Sequence, residues 1–432
     1  MRSGYALGLE TGLAFKKAIQ HRLENGLKVV VSPDHHLPLA GIALYYDVGA
    51  RDEEKGKTGF AHLFEHLMFE GSAHVEKGSH FSLISGLGGQ INANTTHERT
   101  AYFASVPAHQ VDVVLWLEAD RMRSLIVDEQ SFEHQRQTVL EERKQRVDNV
   151  PFGAANERFS ALCQRSFAYA HPVIGYEEDI VRASLEDVRD FHERYYRPNN
   201  AVLAVSGDVE PEAVIERVEA WFGDIPRGKA REVFCLEESR EHRKSKLILA
   251  EERAQLSKVM IRHLAPSYGD ADFFAFEMAE TLLLRGPSSR AWRRLVMEER
   301  AAVQISGGYT ARRAASGFVL GAMVEQPHQM DRVVALWQEE LDRFAHQPIS
   351  DGEWRKALNQ LHASHVYAQE GVLSRALSTG RYALMLNDPD WLHTYMSSIE
   401  ALDVQSVQQV VGECLSAANR LELHAVAKGE RR

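Results

Sequence analysis

The chain has 432 residues, of which 44% are hydrophobic and 26% charged, and its formal net charge is −11. This length exceeds one ordinary hydrophobic core and predicts two or more domains. The acidic balance, with no stripe of Lys and Arg interleaved with aromatic residues, argues against nucleic acid as a partner. No apolar run is long enough to span a membrane.

The cysteines and the amino terminus exclude further classes of protein. Cys163, Cys235 and Cys414 lie far apart and form no CxxC pair, which argues against a cysteine zinc site and a disulfide scaffold. The first residues lack the uninterrupted apolar segment of a signal peptide, although a mature start without its leader would look the same.

The first half of the chain alternates predicted strands and helices. "GLKVVVSP" and "LAGIALYYDVG" are rich in β-branched and aromatic residues, which predicts two strands of a half-buried sheet. "HLFEHLMFEGS", bounded by glycine-containing segments, predicts a helix. The next predictions are a strand in "ANTTHERTAYFASV", helices in "QVDVVLWLEADRMRS" and "DEQSFEHQRQTVLEERKQRV", a strand in "NAVLAVSGDV" and a helix in "PEAVIERVEAWFGDIP".

Residues 226–246 are dense in charge and poor in periodic apolar positions, which is typical of an exposed linker between domains. Beyond them the pattern starts again, because "EMAETLLLRGP" resembles "HLFEHLMFEGS". In this match the residues opposite His62, Glu65 and His66 are Glu277, Glu280 and Thr281.

A second match, without gaps, aligns the segment from Asp342 with the segment from Asp120 and places Ser364 opposite Glu142. The two matches predict a duplicated chain with domains at residues 1–225 and 247–432. The second copy would lack the polar residues of the first.

The segment "HLFEHLMFEGS" carries His62, Glu65 and His66 within an apolar run. Burying such groups without partners costs on the order of several kcal/mol, so the fold must supply partners. Positions i, i+3 and i+4 share one helix face, and two imidazoles one turn apart can hold zinc while a glutamate acts on a metal-bound water. H-x-x-E-H is the inverted form of the zincin motif. With 20 histidines in the chain, a chance match on an amphipathic helix is the alternative interpretation.

The wider sequence resembles the pitrilysin-type, or inverzincin, metallopeptidases, the family that contains the mitochondrial processing peptidase. The resemblance begins in "VGARDEEKGKTGFAHLFEHLMFEGS" and continues through "GGQINANTTHERTAYF", "RQTVLEERKQRVDNVPFG", "HPVIGYEEDI" and "YYRPNNAVLAVSGDV". "GPSSRAWRRLVMEERAAVQISGG" is similar to the family's carboxy-terminal repeat. The resemblance implies an α+β fold of two similar domains, each an antiparallel or mixed sheet with helices packed on one face.

The family's third zinc ligand is a glutamate on a later helix, and the alignment of "RQTVLEER" puts that role on Glu142. Its neighbour Glu141 is the competitor, because a helix turns about 100° per residue and only one of the two can face the metal directly. Many relatives carry a further glutamate two turns earlier, where this chain has Gln135. Glu141 and Gln135 are therefore candidates for indirect, supporting contacts.

The resemblance implies a zinc-dependent endopeptidase with one Zn²⁺ per chain. His62, His66 and Glu142 would hold the zinc, and Glu65 would take a proton from the zinc-bound water and deliver it to the leaving amine. In the family the strand equivalent to "QINANTTHERTAYF" is an exposed edge to which the peptide adds as a further strand. Asn92 and Ala93 match the family's substrate-contacting positions, although Asn92 could simply cap a turn.

Active members of the family present an arginine and, seven residues later, a tyrosine from the second half. An ungapped alignment with the family's carboxy-terminal repeat places these two positions at Val296 and Val303. Shifting the alignment by one residue places them at Met297 and Gln304. The nearby residues of the required types do not have the required spacing: Arg293, Arg294, Arg300 and Tyr309.

Relatives of this length work as pairs of chains, and in two-subunit members only one chain keeps the metal. The resemblance and this absence together predict that the chain is the zinc-bearing subunit of a heterodimer. Its partner would be a homologous chain without H-x-x-E-H but with the arginine and tyrosine, and the peptides or small unfolded proteins that it cleaves would be enclosed between the two subunits. A homodimer is the competing assembly. The rival functions are a non-catalytic structural subunit and a zinc-dependent peptide-binding protein. The motifs look bacterial, and a periplasmic location is favoured over a cytoplasmic one.

Overall fold

The computed structural model describes residues 17–231 and 244–428, in which two mixed β-sheets are packed with helices. The structure confirms the expected α+β class and the two similar sheets. None of the helices in the described ranges has the length and apolar character needed to cross a bilayer.

Strands and helices are numbered separately in chain order. In the first half the strands are β1 Ile19–Arg22, β2 Lys28–Pro33, β3 Leu39–Tyr46, β4 Gln90–Thr95, β5 Thr100–Pro107 and β6 Ala201–Gly207. The helices are α1 Phe60–Leu67, α2 Ser79–Gly86, α3 Val111–Ser124, α4 Glu129–Arg143, α5 Gly153–Cys163, α6 Phe167–Ala170, α7 Glu177–Arg182, α8 Leu185–Tyr195 and α9 Pro211–Phe222, and a π-helical turn, Lys144–Asp148, extends α4.

The second half has five strands and six α-helices in the described residues. The strands are β7 Ser245–Glu251, β8 Ser257–Leu264, β9 Gln304–Thr310, β10 Gly317–Val324 and β11 Arg420–Ala427. The helices are α10 Phe273–Leu283, α11 Gln329–His346, α12 Asp351–Glu370, α13 Val372–Met385, α14 Trp391–Glu400 and α15 Val404–Cys414, together with a π-helical segment, Trp292–Glu298.

The strand order shows the duplication. The first sheet runs β1-β2-β6-β3-β5-β4 and the second β7-β11-β8-β10-β9. In both sheets the first strand of the repeat pairs in parallel with the last one, and the other pairs are antiparallel. Apart from β1 the two orders are the same, so β4 and β9 are equivalent edge strands and α1 corresponds to α10.

Each sheet packs helices of its own half on one face and receives a helix of the other half on the opposite face. Tyr45 and Ala43 of the first sheet pack against Ala376 and Ala383 of α13, which belongs to the second half of the chain. Conversely, α5 of the first half packs against β11 of the second sheet; the residues of this contact are Phe159, Cys163, Leu421, Leu423 and Ala425. Each half therefore completes the hydrophobic core of the other.

The elements predicted from apolar periodicity are present, with one local difference. "ANTTHERTAYFASV" was expected to be one strand, but it contains the end of β4, a turn closed by a hydrogen bond from the Thr96 amide to the Arg99 carbonyl at 2.9 Å, and β5. Thr, His, Glu and Arg in the turn have no single periodic pattern, so the hairpin was not evident. Cys235 and most of the linker expected at residues 226–246 lie outside the described residues, and the last two linker positions begin β7.

The packing of α13 on the first sheet leaves no room for a side chain at Gly380. A Cβ atom there would lie 2.7 Å from Cε2 of Tyr45 and 3.0 Å from Cβ of Ala204. Gly380→Ala should therefore lower the free energy of unfolding by about 1–3 kcal/mol through overpacking, although alanine favours helix by up to about 1 kcal/mol. Urea denaturation followed by circular dichroism measures this change.

Gly352 of α12 is the matched control, because a Cβ atom there would meet nothing within 4 Å. Gly352→Ala should leave stability unchanged or raise it by up to about 1 kcal/mol. Equal stabilities for the two variants would contradict the described packing of α13.

Candidate metal centre

Helix α1 presents both histidines of the motif on one side. Gly59 precedes the helix with φ of 87°, a left-handed conformation that favours glycine, and a Cβ atom there would lie 2.8 Å from the carbonyl oxygen of Ile174. His62 and His66 follow one turn apart, and their ring centroids are 4.9 Å from each other. Leu63, Phe64 and Leu67 are buried in the first core, which fixes the rotation of the helix.

Glu142 near the end of α4 completes the cluster. Its Oε1 lies 3.6 Å from Nε2 of His62, and its Oε2 lies 3.2 Å from Nε2 of His66. Ligand atoms of the three residues all lie within 4.8 Å of one another, and no other group of three such side chains in the described ranges is so close. Two atoms bound to zinc at about 2.0–2.1 Å in tetrahedral geometry lie roughly 3.4 Å apart, so this donor set fits zinc.

The burial of the cluster sets its charge. Burial lowers the pKa of His62 to about 4, and the neighbouring His66 contributes to the lowering. The hydrogen bond with His66 lowers the pKa of Glu142. A neutral His62 and an ionised Glu142 are the protonation states that metal ligation requires.

Glu65 lies on α1 between the two histidines. Burial raises the pKa of its carboxyl group, against smaller lowering effects from Thr95 and His66. A carboxylate whose pKa is raised toward neutrality is a better acceptor of protons near pH 7. The position and environment of Glu65 therefore suit a general base.

A cation also touches the cluster. Nη1 of Arg146, on the π-helical turn after α4, lies 2.6 Å from Oε1 of Glu142, and the Arg146 side chain is 74% exposed. No feature of the sequence pattern singled out this residue. The ion pair brings a positive charge beside one of the three candidate ligands.

The two supporting candidates on α4 lie apart from the cluster. Glu141 is exposed, and one of its oxygens accepts a hydrogen bond from Nε2 of Gln145 at 3.0 Å. Gln135 is buried and its Nε2 donates to Oε1 of Glu70 at 2.5 Å. The structure thus brings Glu142, rather than Glu141, to the histidines.

Asn92 and Ala93 lie on β4, which among the described strands pairs only with β5, so that no described strand occupies its other edge. Asn92 is exposed, and its Oδ1 accepts a hydrogen bond from the amide of Ala93 at 2.8 Å. α1 packs against this strand. The strand with the open edge is therefore one that the histidine-bearing helix contacts.

The positions expected for an arginine and a tyrosine carry apolar side chains. Val296 packs against the second core, and Val303 is 47% exposed. In the slipped register Met297 and Gln304 are both exposed. The hydroxyl group of Tyr309 donates to the carbonyl oxygen of Pro266 at 2.5 Å, so this tyrosine is already engaged. Two of the three nearby arginines, Arg293 and Arg294, pair with glutamates of their own half, and the third, Arg300, is exposed.

Sequence reasoning missed the pair that holds the start of α1. The fully buried carboxylate of Glu53 accepts hydrogen bonds from the amides of Gly59 at 2.8 Å and Ala61 at 2.9 Å. Its Oε2 also lies 2.9 Å from Nε2 of the buried His171. Burial tends to lower the pKa of His171, but the hydrogen bond and charge of Glu53 raise it overall. Neither residue has a spacing that predicts this contact, because they lie 118 positions apart.

Two family models match the chain. One is described as insulinase (peptidase family M16) and matches residues 28–173. The other is described as peptidase M16 inactive domain and matches residues 182–361. Together the matches run through both sheets.

Individual proteins match as well. The zinc protease PqqE of Helicobacter pylori is 32% identical over 285 residues, which are 65% of this chain and 64% of that protein, just under two thirds of its length. A probable mitochondrial-processing peptidase subunit beta of Arabidopsis thaliana is 23% identical over 401 residues, 90% of this chain and 75% of that one. The crystal structure of a protease from Helicobacter pylori superposes with a TM-score of 0.89 at 27% identity, covering 95% of this chain and 100% of that chain.

Because Glu53 binds the start of α1, we expect removal of its carboxylate to lower the stability of the protein strongly. Glu53→Ala would leave His171 and two amides without their buried acceptor, so the free energy of unfolding should fall by about 3–5 kcal/mol. Chemical denaturation at pH 7 measures the loss.

Glu54 provides the control at the adjacent position, because its side chain is 62% exposed and pairs with an exposed Arg194. Glu54→Ala should change stability by less than about 1 kcal/mol. A similar small change for Glu53→Ala would show that α1 does not depend on this contact.

Proposed function

Because this chain belongs to the M16 family of peptidases, we propose that it is a zinc-dependent metalloendopeptidase. The observation that carries the proposal is the convergence of His62, His66 and Glu142 beside Glu65. The substrates would be peptides or small unfolded proteins, because an added strand must be extended to pair with an edge.

Each residue of the centre has a role in the proposed reaction. His62, His66 and Glu142 would hold one zinc ion, which when bound supplies a Lewis acid that polarises a peptide carbonyl and lowers the pKa of water. Glu65 would accept the proton of the attacking water on its carboxylate and return it to the leaving amine. The raised pKa of Glu65 supports both transfers, since the carboxyl group must gain and lose a proton near neutral pH.

The open edge of β4 is the proposed place for the substrate backbone. Main-chain hydrogen bonds at the edge would align the peptide with α1 whatever the side chains of the peptide are. Asn92 and Ala93 would contact the peptide there, and side-chain preferences would depend on cavities beside the strand. The support is that β4 pairs with β5 and with no other strand in the described part of the chain.

We propose that full activity needs a homologous partner chain. Electrostatic donors at a reacting carbonyl are commonly worth ~10²–10³ in rate, and the positions expected for them hold Val296 and Val303. A partner that lacks H-x-x-E-H but carries the arginine and tyrosine would supply these donors. A homodimer is the alternative assembly.

A second candidate function is zinc-dependent peptide binding without cleavage. It is favoured by the same apolar residues at positions 296 and 303, because a chain without donors would hold a peptide and hydrolyse it slowly. The intact Glu65 favours the peptidase, since binding alone gives this group no role.

The candidate metal centre predicts that substitutions of the adjacent residues Glu141 and Glu142 affect zinc affinity differently. We expect elemental analysis of the purified chain to find one zinc per chain. Glu142→Ala should weaken zinc binding by more than the 10–100-fold that loss of an outer hydrogen-bond partner typically costs. Glu141→Ala should bind zinc normally, because that side chain faces solvent. Equal zinc affinities in the two variants would contradict the assignment of Glu142.

Cleavage of a quenched fluorescent peptide tests the enzyme. The chain mixed with its homologous partner should cleave the peptide at least about 100-fold faster than the chain alone. Glu65→Gln should retain zinc and abolish cleavage in the mixture, because it removes the base but none of the three ligands.

The results of these cleavage experiments distinguish a chain that needs a partner from one that does not, and a peptidase from a peptide-binding protein. Full activity of the isolated chain would contradict the need for a partner and leave the peptidase intact. A Glu65→Gln mixture as active as the parent, or a zinc-loaded mixture that cleaves no peptide, would favour the binding protein instead.

A further inference from the structure

Arg146 contacts one of the three candidate zinc ligands. Its Nη1 lies 2.6 Å from Oε1 of Glu142, and the same oxygen lies 3.6 Å from Nε2 of His62. The other oxygen of this carboxylate lies 3.2 Å from Nε2 of His66. One carboxylate, which is the only acidic group among the three candidate ligands, is therefore shared between two imidazoles and a guanidinium.

This contact changes the net charge that the cluster offers to a metal ion. Metal ligation requires neutral imidazoles and an ionised carboxylate, so the three ligands together carry one negative charge. The guanidinium of Arg146 carries one positive charge at any physiological pH and balances them. A divalent cation is attracted more strongly to a negatively charged set of ligands than to a balanced one. Arg146 therefore opposes the binding of a metal ion by the residues that it adjoins.

The other carboxylates near Arg146 are held by a different arginine. Nη1 and Nη2 of Arg143 donate to the two carboxylate oxygens of Glu157 at 2.8 and 2.9 Å. Asp148 lies 3.4 Å from Nη2 of the same arginine. In the described part of the chain, Glu142 is the only residue with which Arg146 forms an ion pair. The positive charge of Arg146 is thus directed at the candidate ligand rather than at a structural partner.

The backbone that carries Arg146 is held in place, although its side chain is 74% exposed. A π-helical turn, Lys144–Asp148, begins two residues after Glu142. A Cβ atom at Gly153 would lie 1.9 Å from the carbonyl oxygen of Val147, so this turn packs closely against the start of α5. π-helical turns are rare and occur frequently at functional sites. The exposed side chain can be replaced without disturbing this packing.

We propose that Arg146 shares Glu142 with a bound zinc ion, and that it thereby weakens zinc binding and speeds zinc release. The inference rests on the proposed zinc-dependent function and adds to it a residue that controls how readily the chain exchanges its metal. Exposed ion pairs contribute little to protein stability. The effect of this pair therefore falls mainly on the carboxylate that the guanidinium contacts.

The zinc affinity of the full-length chain tests this proposal. The parent chain and the variants Arg146→Ala and Arg146→Lys are stripped of metal with a chelator. Competition with a chromogenic chelator then measures the dissociation constant for zinc alone, at fixed pH and ionic strength. The half-time of zinc loss to excess EDTA measures release. Neither readout requires cleavage of a peptide.

We expect Arg146→Ala to tighten zinc binding about 10-fold and to slow zinc release, because it removes a positive charge that lies close to a divalent ion. Arg146→Lys keeps the charge, so its zinc affinity should stay within about 3-fold of the parent value.

Lys144→Ala is the matched control. It removes the same charge from the same turn, but Lys144 is exposed, and side chains two positions apart on a helix do not face each other. Solvent and salt screen such a charge, so the zinc affinity of this variant should also stay within about 3-fold of the parent value.

Equal or weaker zinc binding by Arg146→Ala would overturn the proposal. Equal tightening by Arg146→Lys or by Lys144→Ala would also overturn it, because the charge beside Glu142 would then not be the cause. A parent chain that binds no zinc would contradict the proposed function together with this inference. Unchanged affinity in Arg146→Ala, in a chain that binds zinc and cleaves peptide with its partner, would contradict only the inference.

Discussion

The packing of α1 against α4 is the contact on which the candidate centre depends. It places a carboxylate from position 142 against two imidazoles from positions 62 and 66, and all three groups are at least partly shielded from water. The Glu142 carboxylate is shared between the two imidazoles and Arg146, which offsets the cost of placing it away from water. The start of each helix is fixed separately. Glu53 holds the first amides of α1, and a capping box of Asp128 and Ser131 holds those of α4.

The same architecture in the second half carries no comparable cluster in its described residues. On α10, Glu277 stands where His62 stands on α1, and it accepts a hydrogen bond from the hydroxyl group of Tyr395 at 2.7 Å. Burial raises the pKa of Glu277, which disfavours its charged form. Ser364, opposite Glu142 in the ungapped match, lies within 3.5 Å of Arg285. The polar positions that converge on one cluster in the first copy have separate hydrogen-bond partners in the second.

The second half instead contributes contacts that hold the two halves of the chain together. Arg313 reaches from the loop after β9 into the first half, where its Nη1 donates to Asp47 at 2.6 Å and its amide to Glu98 at 2.7 Å. Burial would raise the pKa of Asp47, but Arg313, Arg51 and Arg231 lower it overall, so the carboxylate stays ionised. Together with the exchanged helices α5 and α13, this network joins the two halves of the chain. The division into two domains at residues 226–246 remains a prediction from the sequence. In the structure α5 and α13 each pack on the sheet of the other half.

The sequence by itself determined the elements with strong apolar periodicity and the local part of the site. His62, Glu65 and His66 could be read together because one helix turn fixes their spacing, and the restart of the pattern after residue 246 predicted the second sheet. Glu142 needed the resemblance, because nothing local distinguishes it from Glu141. In the structure the rotation of α4 places Glu142, and not Glu141, beside the two histidines. The contact of Glu53 with His171 and the exchange of α5 and α13 were evident only from the tertiary structure. Their members lie tens to hundreds of residues apart, and contacts between distant segments follow from how sheets and helices pack rather than from any spacing along the chain.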